Sequence, residues 1–323
     1  MSYALLWGAV AAVVATVLGA PLIQFLRARR LGKAISPDGP ESHQVKAGTP
    51  TMGGILFMSV ALIMGLLVAV PKDRDMLLPI LAGALLLAVG IFDDAGTLID
   101  REKREAHDRQ GMILKLVAFA AVGLVSAVVL YTSIEPAELL VPHFGSYDVG
   151  PLYIAIAIIV IVSTIAAGGV TDGLDMLAGG VGAVSFAAFG LLALMQDQTG
   201  LAALCFIMVG ALAGFLWWNA YPARLFMGDA GSLSIGGMLA IVALLSGWWL
   251  LLPLIGIIYV VEALSVIIQI GYFRRTGGKR FFRMAPIHHH FEKLDYHETT
   301  VAVRFILITV VASLAALGLA ALE

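Results

Sequence analysis

The chain is expected to fold as an all-α, polytopic bundle of membrane-spanning helices. Three observations carry that expectation. The mean hydropathy is +0.95. Only 13% of the 323 residues are charged, against roughly a quarter in soluble domains. The apolar residues gather into about ten runs close to the ~20 residues that a transmembrane helix needs. Lipid offers no water to unpaired backbone groups, so spanning segments satisfy their own hydrogen bonds as helices, and the period-2 alternation of a membrane barrel is absent. No internal repeat or separate soluble region interrupts the pattern, so residues 1–323 read as a single domain.

In order, the runs cover approximately 3–26, 51–70, 76–92, 112–131, 151–168, 181–195, 201–218, 231–246, 250–272 and 299–321. The first exceeds a signal-peptide core and ends in Arg27, Arg29 and Arg30, so it reads as a span rather than a cleaved signal. The sixth and eighth are short and Gly-rich, as expected of helices that tilt, break or pack inside a bundle. Cys205 is the single cysteine and sits in an apolar run as a packing residue. The longest outer connection, Thr132–Gly150, has room for a short hairpin.

The net charge of −2 excludes little, but its distribution is informative. Of the 20 Lys and Arg, 16 fall in the loops 27–50, 93–111, 169–180, 219–230 and 273–298, and the opposite side holds only Lys72 and Arg74. The basic side is expected to be cytoplasmic, which puts both termini outside. That side also collects six of the seven histidines together with Asp93, Asp94, Asp172, Asp175, Asn219 and Asp229.

Asp93-Asp94 closes a span. Adjacent carboxylates at a membrane edge repel each other and lose hydration, which a cation such as Mg2+ offsets; a solvated helix end is the plainer reading. Lys115, one turn inside the next run, either reaches back to a phosphate or snorkels to the headgroups. Thr171-Asp-Gly-Leu-Asp-Met-Leu-Ala-Gly-Gly180 offers Asp172 and Asp175 as acceptors for sugar or base donors, or as helix caps. In Phe226-Met-Gly-Asp-Ala-Gly-Ser232, Asp229 stands between glycines just before a helix, where backbone amides face an anion. Phe226 either stacks on a base or anchors the loop, and Lys46 either contacts a phosphate or anchors the positive side. Ala285-Pro-Ile-His-His-His-Phe-Glu292 sits in a basic loop, where three imidazoles suit an anionic ligand, a metal tract or plain solvation. Glu262 is the one acid deep in a span, and Glu262, Ser265 and Gln269 read as a polar stripe that packs helices.

Taken together, Lys46-Ala-Gly-Thr-Pro-Thr-Met-Gly-Gly54, Asp93-Asp94, Thr171-Asp-Gly-Leu-Asp175, the Phe226–Ser232 loop, the Ala285–Leu294 segment and Glu298–Arg304 resemble the phospho-N-acetylmuramoyl-pentapeptide transferases, within the wider polyprenyl-phosphate N-acetylhexosamine-1-phosphate transferases. The resemblance implies transfer of phospho-MurNAc-pentapeptide from UDP-MurNAc-pentapeptide to undecaprenyl phosphate, giving lipid I and UMP with Mg2+, at the cytoplasmic face of the inner membrane. It implies Asp229 as the Mg2+ ligand and Asp93 and Asp94 at the lipid phosphate, one of them as a base. It implies Lys46 and Lys115 near nucleotide and phosphates, and Gly173, Leu174, Asp175 and Phe226 at uridine. Asn219, His288, His289 and His290 match further active-site positions. Two departures stand out. Ala166-Ala-Gly-Gly-Val170 replaces the asparagines expected before Thr171, and Ala95, Gly96 and Thr97 replace the Tyr and Lys expected after the Asp pair, with a longer link to Lys115.

A sister transferase using UDP-GlcNAc, an ion-coupled transporter and an inactive scaffold are the competing readings. A transporter predicts repeated halves and several mid-membrane acids, whereas only Glu262 sits there. No nucleic-acid partner is expected, and a homodimer stays open. On this topology, a His289→Cys protein should react with an impermeant thiol reagent only from the cytoplasmic side; labelling from the periplasm alone would invert the arrangement.

Overall fold

The computed structural model describes residues 2–29, 48–96, 101–133, 138–141 and 145–322. Lys46 and His43 lie outside them. Among the described residues, twelve α-helices run in order: α1 (Ser2–Ala28), α2 (Gly54–Met64), α3 (Leu77–Ala95), α4 (Arg101–Ser133), α5 (Leu152–Thr171), α6 (Leu177–Met195), α7 (Thr199–Asn219), α8 (Asp229–Leu245), α9 (Leu252–Ile255), α10 (Ile257–Arg275), α11 (Ile287–Glu292) and α12 (Glu298–Ala321). Between α4 and α5, β1 (Glu138–Val141) and β2 (Gly145–Asp148) form an antiparallel hairpin in the long outer connection.

The ten expected segments fall on helical structure, the ninth of them on more than one helix. Among the described residues, eight helices are long and apolar enough to cross a membrane, and two apolar helices are shorter, Gly54–Ala69 and Asp229–Leu245. The first of these is α2 extended by the wider turn Gly65–Ala69. Two expectations are corrected. The sixth run is not short, because Leu177–Gly180 join it and bring α6 to 19 residues. The ninth is broken at Gly256, which separates α9 from α10.

Helix α8 explains why a short, Gly-rich run belongs here. Seventeen residues rise about 25 Å, less than the ~30 Å of a hydrocarbon core. Nearly every α8 residue is buried, and it packs against α2, α3 and α5. The tight fit depends on glycine. A Cβ on Gly90 of α3 would lie 2.3 Å from the Ala230 nitrogen, and one on Gly54 of α2 would lie 2.1 Å from the Gly231 nitrogen. Ser234 Oγ donates to the α3 carbonyl of Gly83 at 3.3 Å. Helices α1 and α7 approach as closely, with Gly8 facing Gly210, and Trp218 Nε1 of α7 donates to Thr16 O at 3.0 Å. Small residues at such crossings let backbones meet, which is how helices associate where lipid provides no hydrophobic drive. The outward faces of α1, α4 and α12 carry exposed Leu6, Val13, Leu116, Val311 and Leu314, as a lipid-facing ring requires.

Gly90→Ala should therefore be destabilised by about 1–3 kcal/mol through overpacking, whereas Gly318→Ala on α12, whose added Cβ meets nothing within 4 Å, should melt like the parent. Thermal unfolding in detergent checks the contrast.

Candidate functional site

The site is built around the first turn of α8. A helix N-terminus leaves backbone N–H groups without intrahelical partners and carries a partial positive charge. Here the partner comes from another helix. Asp94, in the last turn of α3 and buried, accepts from the backbone N–H of Asp229 at 3.1 Å and of Ala230 at 3.2 Å. Gly228 precedes them with φ of 71°, and a Cβ there would lie 2.3 Å from Asp94 Oδ2, so the residue before Asp229 must be glycine on both counts. Asp172, at the end of α5, accepts from Gly228 N at 3.1 Å.

Asp93 turns the other way. Its Oδ2 lies 2.7 Å from Lys115 Nζ, and the same ammonium meets Asp229 Oδ2. All three side chains are between a quarter and a third exposed. Lys115, well inside α4, thus joins the carboxylates of α3 and α8 at the mouth of the cluster. The three acids expected to converge do so, although the adjacent pair divides its work: Asp93 opens to the solvent-accessible side and Asp94 closes the protein interior.

The flanking loops are held by polar side chains bonded to backbone. Asp175, buried after the α5 turn, accepts from Ala223 N at 2.9 Å. Asn219, the last residue of α7, accepts from Met176 N at 2.8 Å and donates to Leu225 O at 2.9 Å. These bonds clamp the Asp172–Met176 turn, including Gly173 and the buried Leu174, onto the Ala220–Phe226 loop. Phe226 N donates to Pro50 O at 2.8 Å and Phe226 O accepts from Gly53 N at 2.7 Å, so the stretch that follows Lys46 is stitched to the same loop. Phe226 itself is half-buried.

The histidine triplet is not an open loop. It lies on α11, and its members point to different neighbours. His288 is 1% exposed, with Nδ1 3.0 Å from Oε2 of the fully buried Glu262, although out of line for a hydrogen bond. Its Nε2 faces Gly173, where a Cβ would come within 2.0 Å. His289 pairs with Glu292 at 2.6 Å, and His290 Nδ1 accepts from Arg283 N at 3.1 Å. Two expectations change. His288 belongs to the helix core, not to a polar loop outside it. The α10 stripe does more than pack helices: Glu262 faces His288, and Gln269 Oε1 accepts from Phe281 N and Phe282 N. The missed feature was the pairing of Glu262 with His288; the lone acid in an apolar span was its signal.

The divergence of Asp93 and Asp94 has a direct consequence. Asp94→Ala should lower stability by about 1–2 kcal/mol, the usual cost of losing a helix cap, and Asp93→Ala should not. Equal melting of the two variants in detergent would contradict the assignment.

The sequence profile of Glycosyl transferase family 4 matches residues 76–247, and the phospho-N-acetylmuramoyl-pentapeptide-transferase signature 1 matches residues 46–58. Curated relatives carry the name phospho-N-acetylmuramoyl-pentapeptide-transferase. One from Chloroflexus aurantiacus is 43% identical over 99% of this chain and 90% of its own length. One from Rubrobacter xylanophilus is 41% identical over 93% and 92% of the two chains. One from Listeria innocua is 38% identical over 91% of each. With identities this high over nearly the whole length, and with the profile covering the α3–α8 segment that builds the carboxylate cluster, the chain belongs to the phospho-N-acetylmuramoyl-pentapeptide-transferase family.

Proposed function

We propose that this multi-pass membrane protein transfers phospho-MurNAc-pentapeptide from UDP-MurNAc-pentapeptide to undecaprenyl phosphate, forming lipid I and UMP in peptidoglycan biosynthesis. The observation that carries the reading is the meeting of Asp93, Lys115 and Asp229 at the open side of a cluster whose other face is locked to the α8 N-terminus. One substrate is water-soluble and the other is anchored in lipid, so a site at the ends of membrane helices suits both. The excess of Lys and Arg on the same side supports a cytoplasmic face of the inner membrane.

Phosphoryl transfer depends on positioning and charge neutralisation more than on covalent chemistry. An oxygen of the carrier phosphate attacks the sugar-linked phosphorus of the UDP-sugar. The bond from that phosphorus to the bridging oxygen breaks, and UMP leaves with that oxygen. Asp93, the accessible member of its pair, orients the carrier phosphate and takes its proton if it arrives protonated. Lys115 balances the phosphate charge. The turn Asp172–Asp175 and Phe226 border the nucleotide side, held there by Asn219. Asp229, with Asp93 beside it, is suited to hold Mg2+, which when bound supplies further neutralisation of the diphosphate. The donor set fits that ion, because the two carboxylates already converge on one cationic group. Mg2+ takes one or two carboxylates and fills its shell with water and phosphate oxygens.

Purified protein with both substrates should release UMP only with Mg2+ present, and UDP-GlcNAc should not compete. Asp229→Asn keeps the side-chain shape and removes its charge; turnover should drop at least about a hundredfold, or ~2.7 kcal/mol of transition-state stabilisation, with the melting temperature retained. Normal Mg2+-dependent turnover in that variant would overturn the assignment of Asp229.

A further inference from the structure

The transfer steps leave the contact between α10 and α11 without a task. Glu262 and His288 are both buried, and Glu262 Oε2 stands 3.0 Å from His288 Nδ1. Among the described residues, neither carboxylate oxygen and neither ring nitrogen has an aligned hydrogen bond. Packing alone does not account for such a pair, because two buried ionisable groups cost more than apolar side chains of the same volume. A bare carboxylate oxygen and an imidazole lone pair would also repel each other at 3.0 Å, so a proton lies between them. That proton keeps Nδ1 toward α10 and directs Nε2 the other way.

Nε2 faces the turn that follows α5. Gly173 leaves the space that the ring fills, since a Cβ there would overlap the imidazole. The His289 ring closes another side, with its centroid 4.2 Å away. One turn earlier on α10, Tyr259 Oη donates to Ala178 O at 3.5 Å, just beyond the same turn. Residues three apart share a helix face. One face of α10 therefore meets the stretch Gly173–Ala178 twice, directly through Tyr259 and through His288 from Glu262. Between these contacts Met176 has φ of 68°, a left-handed conformation that a side-chain-bearing residue keeps when its surroundings impose it.

We propose that Glu262 is a positioning residue for the transfer: acting through His288, it sets the Asp172–Asp175 turn to receive the nucleotide. Glu262 itself touches no substrate. The proposal rests on the function given above for the identity of the nucleotide sugar, whereas the hold on the turn is a property of the protein alone.

The test uses full-length protein in detergent and two readouts. The first is steady-state transfer. Glu262→Gln keeps the side-chain shape and removes the charge. It should raise KM for UDP-MurNAc-pentapeptide about tenfold, as when a carboxylate that orients a metal-binding histidine is lost, with KM for undecaprenyl phosphate and the melting temperature unchanged. Glu262→Asp should recover part of the loss, and Ser265→Ala, on the same stripe, should cost nothing. In a His288→Gln background, Glu262→Gln should add less than about twofold, since residues that act as a unit are not additive. The second readout is amide hydrogen exchange without substrate. The Gly173 and Leu177 amides, bonded within the turn, should exchange faster in Glu262→Gln than in the parent or in Ser265→Ala. Full additivity of the two substitutions, an equal rise in both KM values, or parent-like exchange at the turn overturns the proposal. A parent that releases no UMP would sink the functional reading alone, and exchange would still decide whether Glu262 holds the turn. If Glu262→Gln does not assemble, Glu262→Asp carries both measurements.

Discussion

The capping of the α8 N-terminus by Asp94 is the contact on which the rest of the site depends. A helix too short to span the hydrocarbon ends inside the protein, where its first N–H groups have no water to bind. Asp94 answers that need from α3, its side-chain oxygens accepting from the amides at the positive end of the helix. The contact is close enough to require glycine at 228, 90 and 54. Because α3 and α8 are locked at this point, Asp93 and Asp229, the neighbours of the capping pair, face the same opening. The two exposed carboxylates are positioned by a buried one.

Electrostatics sort the cluster further. Four carboxylates, Asp93, Asp94, Asp172 and Asp229, surround a few backbone amides and one ammonium. Asp94 and Asp172 accept hydrogen bonds from the backbone of residues 228–230. Asp93 and Asp229 share Lys115. Each acid therefore faces a donor or a positive charge, which offsets the repulsion and lost hydration of such crowding. The acids differ in exposure: Asp94 is buried, whereas Asp93 and Asp229 are between a quarter and a third exposed.

The loops beside the carboxylates are organised by contacts between elements far apart in sequence. Asn219 bridges two turns, Asp175 holds the second of them, and the Pro50–Gly54 stretch pairs with Phe226 and Met227. His288 enters from α11, its ring between Glu262 and Gly173. A glycine at 173 is the only residue that leaves room for that imidazole.

Much of this was legible in the chain itself. Apolar length located the ten helical segments, because a run of about twenty apolar residues has one stable arrangement in lipid. The glycines around Asp229 and the paired Asp93 and Asp94 pointed to a candidate site, since such residues are costly near hydrocarbon without partners, whereas the lone intramembrane Glu262 read as a packing residue. Sequence did not say which of Asp93 and Asp94 turns inward, that α11 buries His288, that Lys115 reaches both Asp93 and Asp229, or that Asn219 serves as a clamp. Each of those outcomes is a choice of partner across tens of residues. Local pattern reports the face a side chain occupies on its own helix; which neighbour meets that face is set by how closely the helices pack, and only the tertiary structure decides it.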